Sequence, residues 1–209
     1  KRFATFSDCE ELATILNEKG DDQLLVLGGG SNILFTRDFD GLVIKNEIKG
    51  FEIIDDNDAF AIVRAGAGEI WHEFVLYCIK NNLGGIENLS LIPGNVGAGP
   101  MQNIGAYGVE LKEVFVQLEA YHIASGEIHT FNEEQCEFPY RENIFKRKLN
   151  DHYIITNASF KLTRKNHSIN TSYGIIETEL AQMNVSDPTI EDVSNAVIEI
   201  RRRKLPDPS

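Results

Sequence analysis

A glycine-rich stretch, residues 88–111, has the composition of a ligand-binding loop. It holds five glycines, two prolines and three asparagines, with no charged residue before Glu110. So many glycines disfavour a stable helix or a central strand, whereas Leu89 and Val96 are too apolar for a disordered linker. We therefore predict a buried, ordered loop whose unpaired backbone N–H groups donate to a large ligand rich in acceptors. The alternative is a simple connection between two subdomains.

A second glycine turn, Gly-Gly-Gly-Ser-Asn at residues 28–32, could hold a pyrophosphate. Its glycines can present successive N–H groups to an anion, and Ser31 and Asn32 add side-chain donors. The turn is not a dinucleotide-binding fingerprint, because isoleucine stands at position 33 and strand-like residues follow; G-K-[ST] of a Walker loop is also absent. By itself the turn is equally consistent with an ordinary tight turn.

Composition limits the classes of partner. The formal net charge of −12 argues against nucleic acid or an anionic membrane surface. Three widely spaced cysteines indicate reduced thiols of a cytosolic protein, without a disulfide framework. The five histidines are scattered too, so no metal site is expected. The sequence contains no signal peptide and no membrane span.

The elements that position these segments predict an α+β fold. A Ser7-x-x-Glu10 capping box opens a helix that closes at Gly20. Four strands follow, at residues 24–27, 41–44, 51–54 and 59–65. A break at residues 66–68 separates this first lobe from a second one, which begins with a helix over residues 70–82.

The second lobe continues after the glycine-rich stretch. Residues 114–124 and 127–131 predict a hairpin around Ser125-Gly126, and residues 153–162 predict a further strand. A loop rich in Asn, Ser and Thr then leads to a last helix, which Thr189 and Asp192 open. That helix ends in Arg-Arg-Arg-Lys at residues 201–204, where the cations complement the helix dipole.

Two motifs resemble those of a known family. I-P-G-x-V-G-x-x-P-x-Q-N-I-G-A-Y-G (residues 92–108) and F-P-Y-R-E-N-I-F-K (residues 138–146) are similar to motifs of the UDP-N-acetylenolpyruvoylglucosamine reductases. The resemblance implies a two-lobed FAD-binding domain of the vanillyl-alcohol-oxidase (PCMH-like) type. In that arrangement residues 1–66 form lobe 1, residues 67–204 form lobe 2, and residues 205–209 begin a linker to a substrate-binding domain.

The resemblance implies FAD as the cofactor. No histidine lies near residues 28–32 to tether it, so a noncovalent flavin is expected. Family members usually have a small polar residue near positions 98 and 99, where this chain has Ala98 and Gly99; losing one neutral hydrogen bond costs only about 0.5–1.5 kcal/mol. The implied cofactor-binding residues are Gly28, Gly29, Gly30, Ser31, Asn32, Ile92, Pro93, Gly94, Asn95, Val96, Gly97, Ala98, Gly99, Gln102, Asn103, Gly105, Ala106 and Tyr107.

The resemblance also implies the reaction. NADPH reduces the flavin and leaves, and UDP-N-acetylglucosamine enolpyruvate then accepts hydride to give UDP-N-acetylmuramate, a precursor of bacterial peptidoglycan. Spacing alone favours a surface Arg141 paired with Glu142, but the motif implies a catalytic arginine beside the enolpyruvyl carboxylate. A planar guanidinium gains strength as that carboxylate becomes an enediolate. Tyr140, Arg141, Tyr173 and Lys204 are the implied substrate-binding residues, in a cytoplasmic protein expected to be monomeric.

The abrupt ends of the chain predict that it is a fragment. The family's later segment G-S-F-F-K-N-P, whose serine protonates the enol, and a late glutamate are absent. We therefore expect the chain to bind FAD but to turn over poorly or not at all. The alternatives are another noncovalent FAD oxidoreductase of the same superfamily and a non-enzymatic nucleotide-binding module.

Overall fold

The chain forms two main β-sheets in a computed structural model, which describes residues 2–138 and 142–204. The smaller sheet has three parallel strands in the order β1-β3-β2. They are β1 (Arg2–Phe6), β2 (Gln23–Leu27) and β3 (Gly41–Asn46), and helix α1 (Cys9–Glu18) connects the first two. Phe6, Leu12 and Ile44 are buried between α1 and this sheet. Strands β2 and β3 were predicted from the sequence, whereas β1 was not.

The N-cap of α1 lies one residue after the predicted position. Asp8, not Ser7, is the N-cap, and its side chain accepts hydrogen bonds from the N–H groups of Glu10 and Glu11 at 2.9 and 2.8 Å. Ser7 instead donates its N–H and its hydroxyl to Glu11 at 2.8 and 2.9 Å. A carboxylate is the stronger acceptor at the positive end of a helix, which accounts for the preference for Asp8.

The segment after β2 is irregular. Residues 33–35, which were expected to be strand-like, form no strand, and their side chains are exposed, with Leu34 86% accessible. The parallel strands β2 and β3 are connected through this exposed segment instead of through a helix. The segment carries the Gly28–Asn32 turn at its start, so the turn lies at the carboxyl end of β2.

The larger sheet is antiparallel, with five strands in the order β4-β5-β10-β8-β9. The strands are β4 (Phe51–Asp56), β5 (Phe60–Gly66), β8 (Phe115–His122), β9 (Ile128–Asn132) and β10 (Tyr153–Thr163). The predicted strands and the predicted hairpin are confirmed. We placed the lobe boundary at residues 66–68, but β4 and β5 pair with β10, so the two sheets divide between Asn46 and Phe51. The assignment of the two lobes as domains stays a prediction.

Helix α2 (Trp71–Lys80) covers one face of the larger sheet. Trp71, Phe74 and Phe160 of β10 meet with ring centroids 5.2–5.8 Å apart. Burying each such side chain contributes about 1.5–3 kcal/mol. Ile70, predicted to share this buried face, is instead the exposed N-cap of the helix.

Short elements connect the sheets to the site. They are the single-turn helix α3 (Ala98–Met101), the two-residue strands β6 (Gly105–Ala106) and β7 (Val109–Glu110), and the single-turn helix α4 (Glu133–Cys136), which Asn132 caps. The glycine-rich stretch thus begins in a 3-10 turn (Glu87–Leu89) and contains the single α-helical turn α3, but no long helix.

Two helices complete the described chain. The predicted helix α6 (Ile190–Lys204) begins at Thr189, which exchanges hydrogen bonds with Asp192. Helix α5 (Gly174–Gln182) was not predicted from the sequence, because it has no side-chain N-cap and starts at a glycine. Ile176 and Leu180 of α5 pack against the buried face of α6. Within the described ranges, no helix combines the length and apolar character that crossing a bilayer requires.

Candidate functional site

A cleft of about 730 Å³ lies where the two sheets meet, and both glycine segments line it. Most of the predicted cofactor-binding residues border this cleft. They are Gly28, Gly29, Gly30, Ser31, Asn32, Ile92, Pro93, Gly94, Asn95, Gly97, Ala98, Gly99, Gln102 and Gly105. Two segments more than 60 residues apart in sequence are therefore brought to one site.

The two glycine turns contact each other closely. A Cβ atom at Gly29 would lie 2.4 Å from Oδ1 of Asn95, and one at Gly94 would lie 3.2 Å from Oγ of Ser31. Asn95 is buried, and its Nδ2 donates to the carbonyl of Gly68 at 2.6 Å, so its side chain is anchored. Glycine is therefore required at position 29 by close approach, and at position 94 also by a φ of 110°.

The turns leave a row of backbone donors without protein acceptors. In the described part of the chain, no acceptor pairs with the N–H groups of Gly29, Gly30, Ser31 and Asn32, nor with those of Gly94 and Asn95. By contrast, the Val96 and Gly97 N–H groups donate to the carbonyls of Glu69 and Ala67 at 2.8 and 3.0 Å. The prediction of unpaired donors holds for the two turns but not for the start of α3. Such successive free N–H groups form an anion-binding nest.

The charge of the cleft is opposite to that of the whole chain. Among the described residues that line it, the charged side chains are Lys146 and Arg201, and there is no carboxylate. The chain as a whole carries a formal charge of −12. A local positive field with free N–H donors favours an anionic ligand.

Arg201 was missed as a site residue. It stands on α6 four residues after the buried Val197, and its Nε donates to the carbonyl of Leu91 at 2.9 Å. In the described structure its two Nη atoms have no protein partner. The sequence predicted that the cations at the end of this helix complement its dipole, and the family resemblance implied that Lys204 binds substrate. Lys204 is exposed at the end of α6 and does not line the cleft.

Leu91, which Arg201 contacts, is held from a second side. Its N–H donates to Nδ1 of His72 at 3.0 Å, and its φ of 54° is unusual for a leucine. Burial lowers the pKa of His72. The neutral ring keeps Nδ1 available as an acceptor, so α2 and α6 together fix the backbone that leads into Ile92-Pro93-Gly94.

Asn46 and Tyr153 also line the cleft and were missed. Nδ2 of Asn46 donates to the carbonyl of Ile155 at 2.9 Å, which joins the end of β3 to the start of β10. The hydroxyl of Tyr153 pairs with Nδ1 of His129 at 2.8 Å. Neither residue lies in a motif, so only the packing of the two sheets identifies them.

The arginine motif falls partly outside the described residues. Tyr140 and Arg141, predicted to bind substrate, are outside them. Asn143, two positions later, is buried, donates from Nδ2 to the carbonyl of Pro100 at 3.0 Å and accepts the Phe145 N–H at 2.8 Å. The described part of the motif is thus attached to the glycine-rich stretch, and its Lys146 lines the cleft.

Four predicted cofactor-binding residues do not border the cleft: Val96, Asn103, Ala106 and Tyr107. Val96 is part of the core. Asn103 is buried, donates to Oε2 of Glu110 at 3.0 Å and accepts the Lys112 N–H at 3.1 Å. The side chain of Asn103 therefore stabilises the conformation of the glycine-rich stretch.

Tyr107 and Tyr173 meet each other away from the cleft lining. Their ring centroids are 5.5 Å apart at an interplanar angle of 88°. Tyr173, predicted to contact substrate, is 52% exposed.

The cysteines are unsuited to nucleophilic chemistry. Burial raises the pKa of Cys136 to about 12 and also raises the pKa values of Cys9 and Cys78. A thiol needs a lowered pKa to react at neutral pH. Across the described ranges, histidines, cysteines and carboxylates form no group that could hold a metal ion.

Sequence and structure comparisons relate this chain to flavoproteins. The FAD binding domain family matches residues 1–132. The UDP-N-acetylenolpyruvoylglucosamine reductase of Flavobacterium johnsoniae is 55% identical over 208 residues, which cover 100% of this chain but only 62% of that protein. The chain thus spans less than two thirds of the length of this relative.

Two solved structures share the fold. The crystal structure of UDP-N-acetylenolpyruvylglucosamine reductase from Thermus caldophilus aligns with a TM-score of 0.66 at 21% identity, over 97% of this chain and 63% of that chain. That of p-cresol methylhydroxylase aligns with a TM-score of 0.52 at 16% identity, over 76% and 35%. The predicted fold class, an α+β FAD-binding fold of this type, is confirmed.

Proposed function

Because this chain belongs to the FAD binding domain family, we propose that its cleft binds FAD and that the intact protein reduces UDP-N-acetylglucosamine enolpyruvate with NADPH. The observation that carries the proposal is the double row of N–H groups in the two glycine turns for which the described residues offer no acceptor. An anionic pyrophosphate is the ligand that such a nest accepts. Arg201 and Lys146 supply the complementary charge.

The residues present fit a noncovalent flavin. Ile92, Met101, Ile104 and Ile154 offer an apolar lining for a ring system beside the polar turns. Within the described part of the chain, neither a histidine nor a cysteine lines the cleft, which supports a flavin held without a histidine or cysteine tether. The N–H groups of Ala98 and Gly99 donate to the carbonyls of Asn95 and Val96, both at 3.0 Å, so the donors offered to the cofactor are those of the two glycine turns.

Bound FAD would supply the chemistry of hydride transfer between NADPH and the methylene carbon of the enolpyruvyl ether. The chain's contribution is position and charge. Arg141 binds the enolpyruvyl carboxylate and stabilises the enediolate that hydride addition creates. Tyr140, Tyr173 and Lys204 bind the remainder of the nucleotide-sugar. An acid from a third domain protonates the carbon next to the carboxylate.

The organisation of the intact protein is part of the proposal. The two FAD-binding lobes are built on the two sheets, which divide between Asn46 and Phe51 and not at residues 66–68, and residues 205–209 begin the linker to the substrate-binding domain. The relatives' greater length supports such an additional region. The protein is a monomer of the bacterial cytoplasm, and its product enters peptidoglycan synthesis.

A spectroscopic experiment tests cofactor binding. The purified chain is expected to be yellow, to release its flavin into solution on denaturation, and to recover the visible flavin bands when FAD is added back. A colourless protein that takes up no added FAD would refute the proposed cofactor. If the chain is instead a non-enzymatic nucleotide-binding module, it will bind a nucleotide but show no flavin absorption band that NADPH bleaches.

Turnover by the intact protein tests the substrate. With NADPH and the enolpyruvyl nucleotide-sugar, formation of UDP-N-acetylmuramate is expected. Another flavin oxidoreductase of the same superfamily would bind FAD but leave this substrate unchanged.

An Arg201→Gln variant tests the charge of the cleft. We expect its FAD dissociation constant to rise about tenfold, because one charge-assisted hydrogen bond is worth about 1.5–3 kcal/mol. Arg202→Gln is the matched control, since Arg202 is exposed and pairs with Glu199 at 3.0 Å on the surface. Fluorescence titration of the apoprotein with FAD measures both. Equal affinities in the two variants would contradict the role of Arg201.

A further inference from the structure

We propose that Asn170 is a positioning residue for Tyr173, because it fastens the loop before α5 to the end of the glycine-rich stretch. The inference rests on the proposed function, in which Tyr173 binds the nucleotide-sugar. The sequence indicated only a loop rich in Asn, Ser and Thr between β10 and α5, with Tyr173 as its implied substrate-binding residue. In the structure it makes a specific set of hydrogen bonds.

Asn170 binds the loop to the tip of the β6–β7 hairpin. Tyr107 and Gly108 form its two-residue turn, with φ values of 50° and 80°. Two successive positive φ values are characteristic of a type I′ turn, where asparagine and glycine are preferred. A tyrosine at the first position is strained, and such strain persists where the surrounding structure or a function requires it.

Asn170 makes four hydrogen bonds in this region. Its Nδ2 donates to the Gly108 carbonyl at 3.1 Å. Its Oδ1 accepts the N–H and the hydroxyl of Ser172 at 3.2 and 2.7 Å. Its own carbonyl accepts Nδ2 of the buried Asn88 at 2.9 Å, and the same Asn88 amide donates to the Tyr107 carbonyl at 3.0 Å.

These bonds place Tyr173 beside Tyr107. Asn170 joins the turn on one side and the residue preceding Tyr173 on the other. The Tyr173 ring then packs edge-on against Tyr107, while half of its surface stays exposed. The strained tyrosine therefore acts as a support for the second ring, which explains why Tyr107 does not line the cleft.

The consequence is preorganisation. A side chain that is ordered before the substrate arrives loses less conformational entropy on binding. Without Asn170 the loop would have to be ordered by the substrate itself. The cost would appear in substrate binding, since Asn170 does not line the cleft.

The first test is limited proteolysis of the intact protein with FAD bound. Chymotrypsin cleavage after Tyr173 is expected to be about tenfold faster in Asn170→Ala than in wild type, because cleavage follows the population of the open loop. Asn170→Asp is expected to resemble the alanine variant, since a carboxylate cannot donate to the Gly108 carbonyl. Thr171→Ala, whose side chain makes no hydrogen bond in the described structure, should match wild type. Unchanged cleavage in Asn170→Ala, or wild-type behaviour of Asn170→Asp, would overturn the proposal.

The second test is kinetic. We expect KM for the enolpyruvyl nucleotide-sugar to rise about tenfold in Asn170→Ala, with kcat within about twofold and FAD content unchanged. A loss of FAD would overturn the proposal by making Asn170 a general structural residue of the glycine-rich stretch. If the wild type does not turn over this substrate, the proposed function fails and the positioning role fails with it; faster cleavage would then show only that Asn170 orders the loop.

Discussion

An Arg141→Gln variant of the intact protein is expected to lose two to three orders of magnitude in kcat, while NADPH reduces its flavin at the wild-type rate. The guanidinium meets a carboxylate whose charge grows only during hydride addition, so its contribution is largest in the transition state. Removing one donor that stabilises developing negative charge costs roughly 10²–10³ in rate. Glutamine keeps a hydrogen-bond donor but removes the charge.

Stopped-flow kinetics separates the two half-reactions. The reductive half-reaction with NADPH should be unchanged, and the oxidative half-reaction with the enolpyruvyl nucleotide-sugar should be slow. Arg147→Gln is the matched control: Arg147 pairs with Glu137 at 3.2 Å and with Glu142 at 3.7 Å on the surface. If both half-reactions slow equally, or if Arg147→Gln has the same effect, the assigned role of Arg141 is wrong.

A Gly29→Ala variant is expected to bind FAD roughly 100-fold more weakly than wild type. Its new Cβ would lie 2.4 Å from Oδ1 of Asn95, far inside van der Waals contact. Asn95 cannot move without losing its hydrogen bond to Gly68 at 2.6 Å. Overpacking of this kind costs up to about 3 kcal/mol, and here it would separate the two turns that hold the free N–H donors.

Gly174→Ala is the control for that substitution. A Cβ at Gly174 meets nothing within 4 Å, and the residue does not line the cleft. Titration of each apoprotein with FAD, together with thermal unfolding, distinguishes a local effect from a loss of fold. Wild-type FAD affinity in Gly29→Ala would show that the contact between the turns is not part of the cofactor site.

The two glycine motifs, which the sequence indicated as ligand-binding turns, lie together at one cleft. The glycine turns can lie together because glycine permits close approach of two backbones. The sequence itself shows where the glycines stand. The strands of the larger sheet were equally predictable, because they alternate or run apolar between turn residues. Helix α5 was not predictable from the sequence, since Tyr173-Gly174 indicates a turn and no side chain caps the helix.

Residues outside motifs depended on tertiary packing. Arg201 and Lys204 lie three positions apart in the same basic run, yet the first lines the cleft and the second does not. Their difference comes from where α6 passes Leu91, which the packing of α5 and α2 sets. Asn46 and Tyr153 also line the site because of tertiary packing: the end of β3 and the start of β10 meet where the two sheets join.

The amino-acid sequence alone determined the class of the protein, the two backbone segments that meet at the cleft and the expectation of an acceptor-rich anionic cofactor. These depend on local chemistry, since a missing Cβ or a free N–H group acts wherever the chain places it. Tertiary structure decided which cations face the ligand, which asparagine fastens the Tyr173 loop, and that the sheets divide before β4. Such features depend on long-range distances between elements, and only the packed arrangement of both sheets and their helices defines those distances.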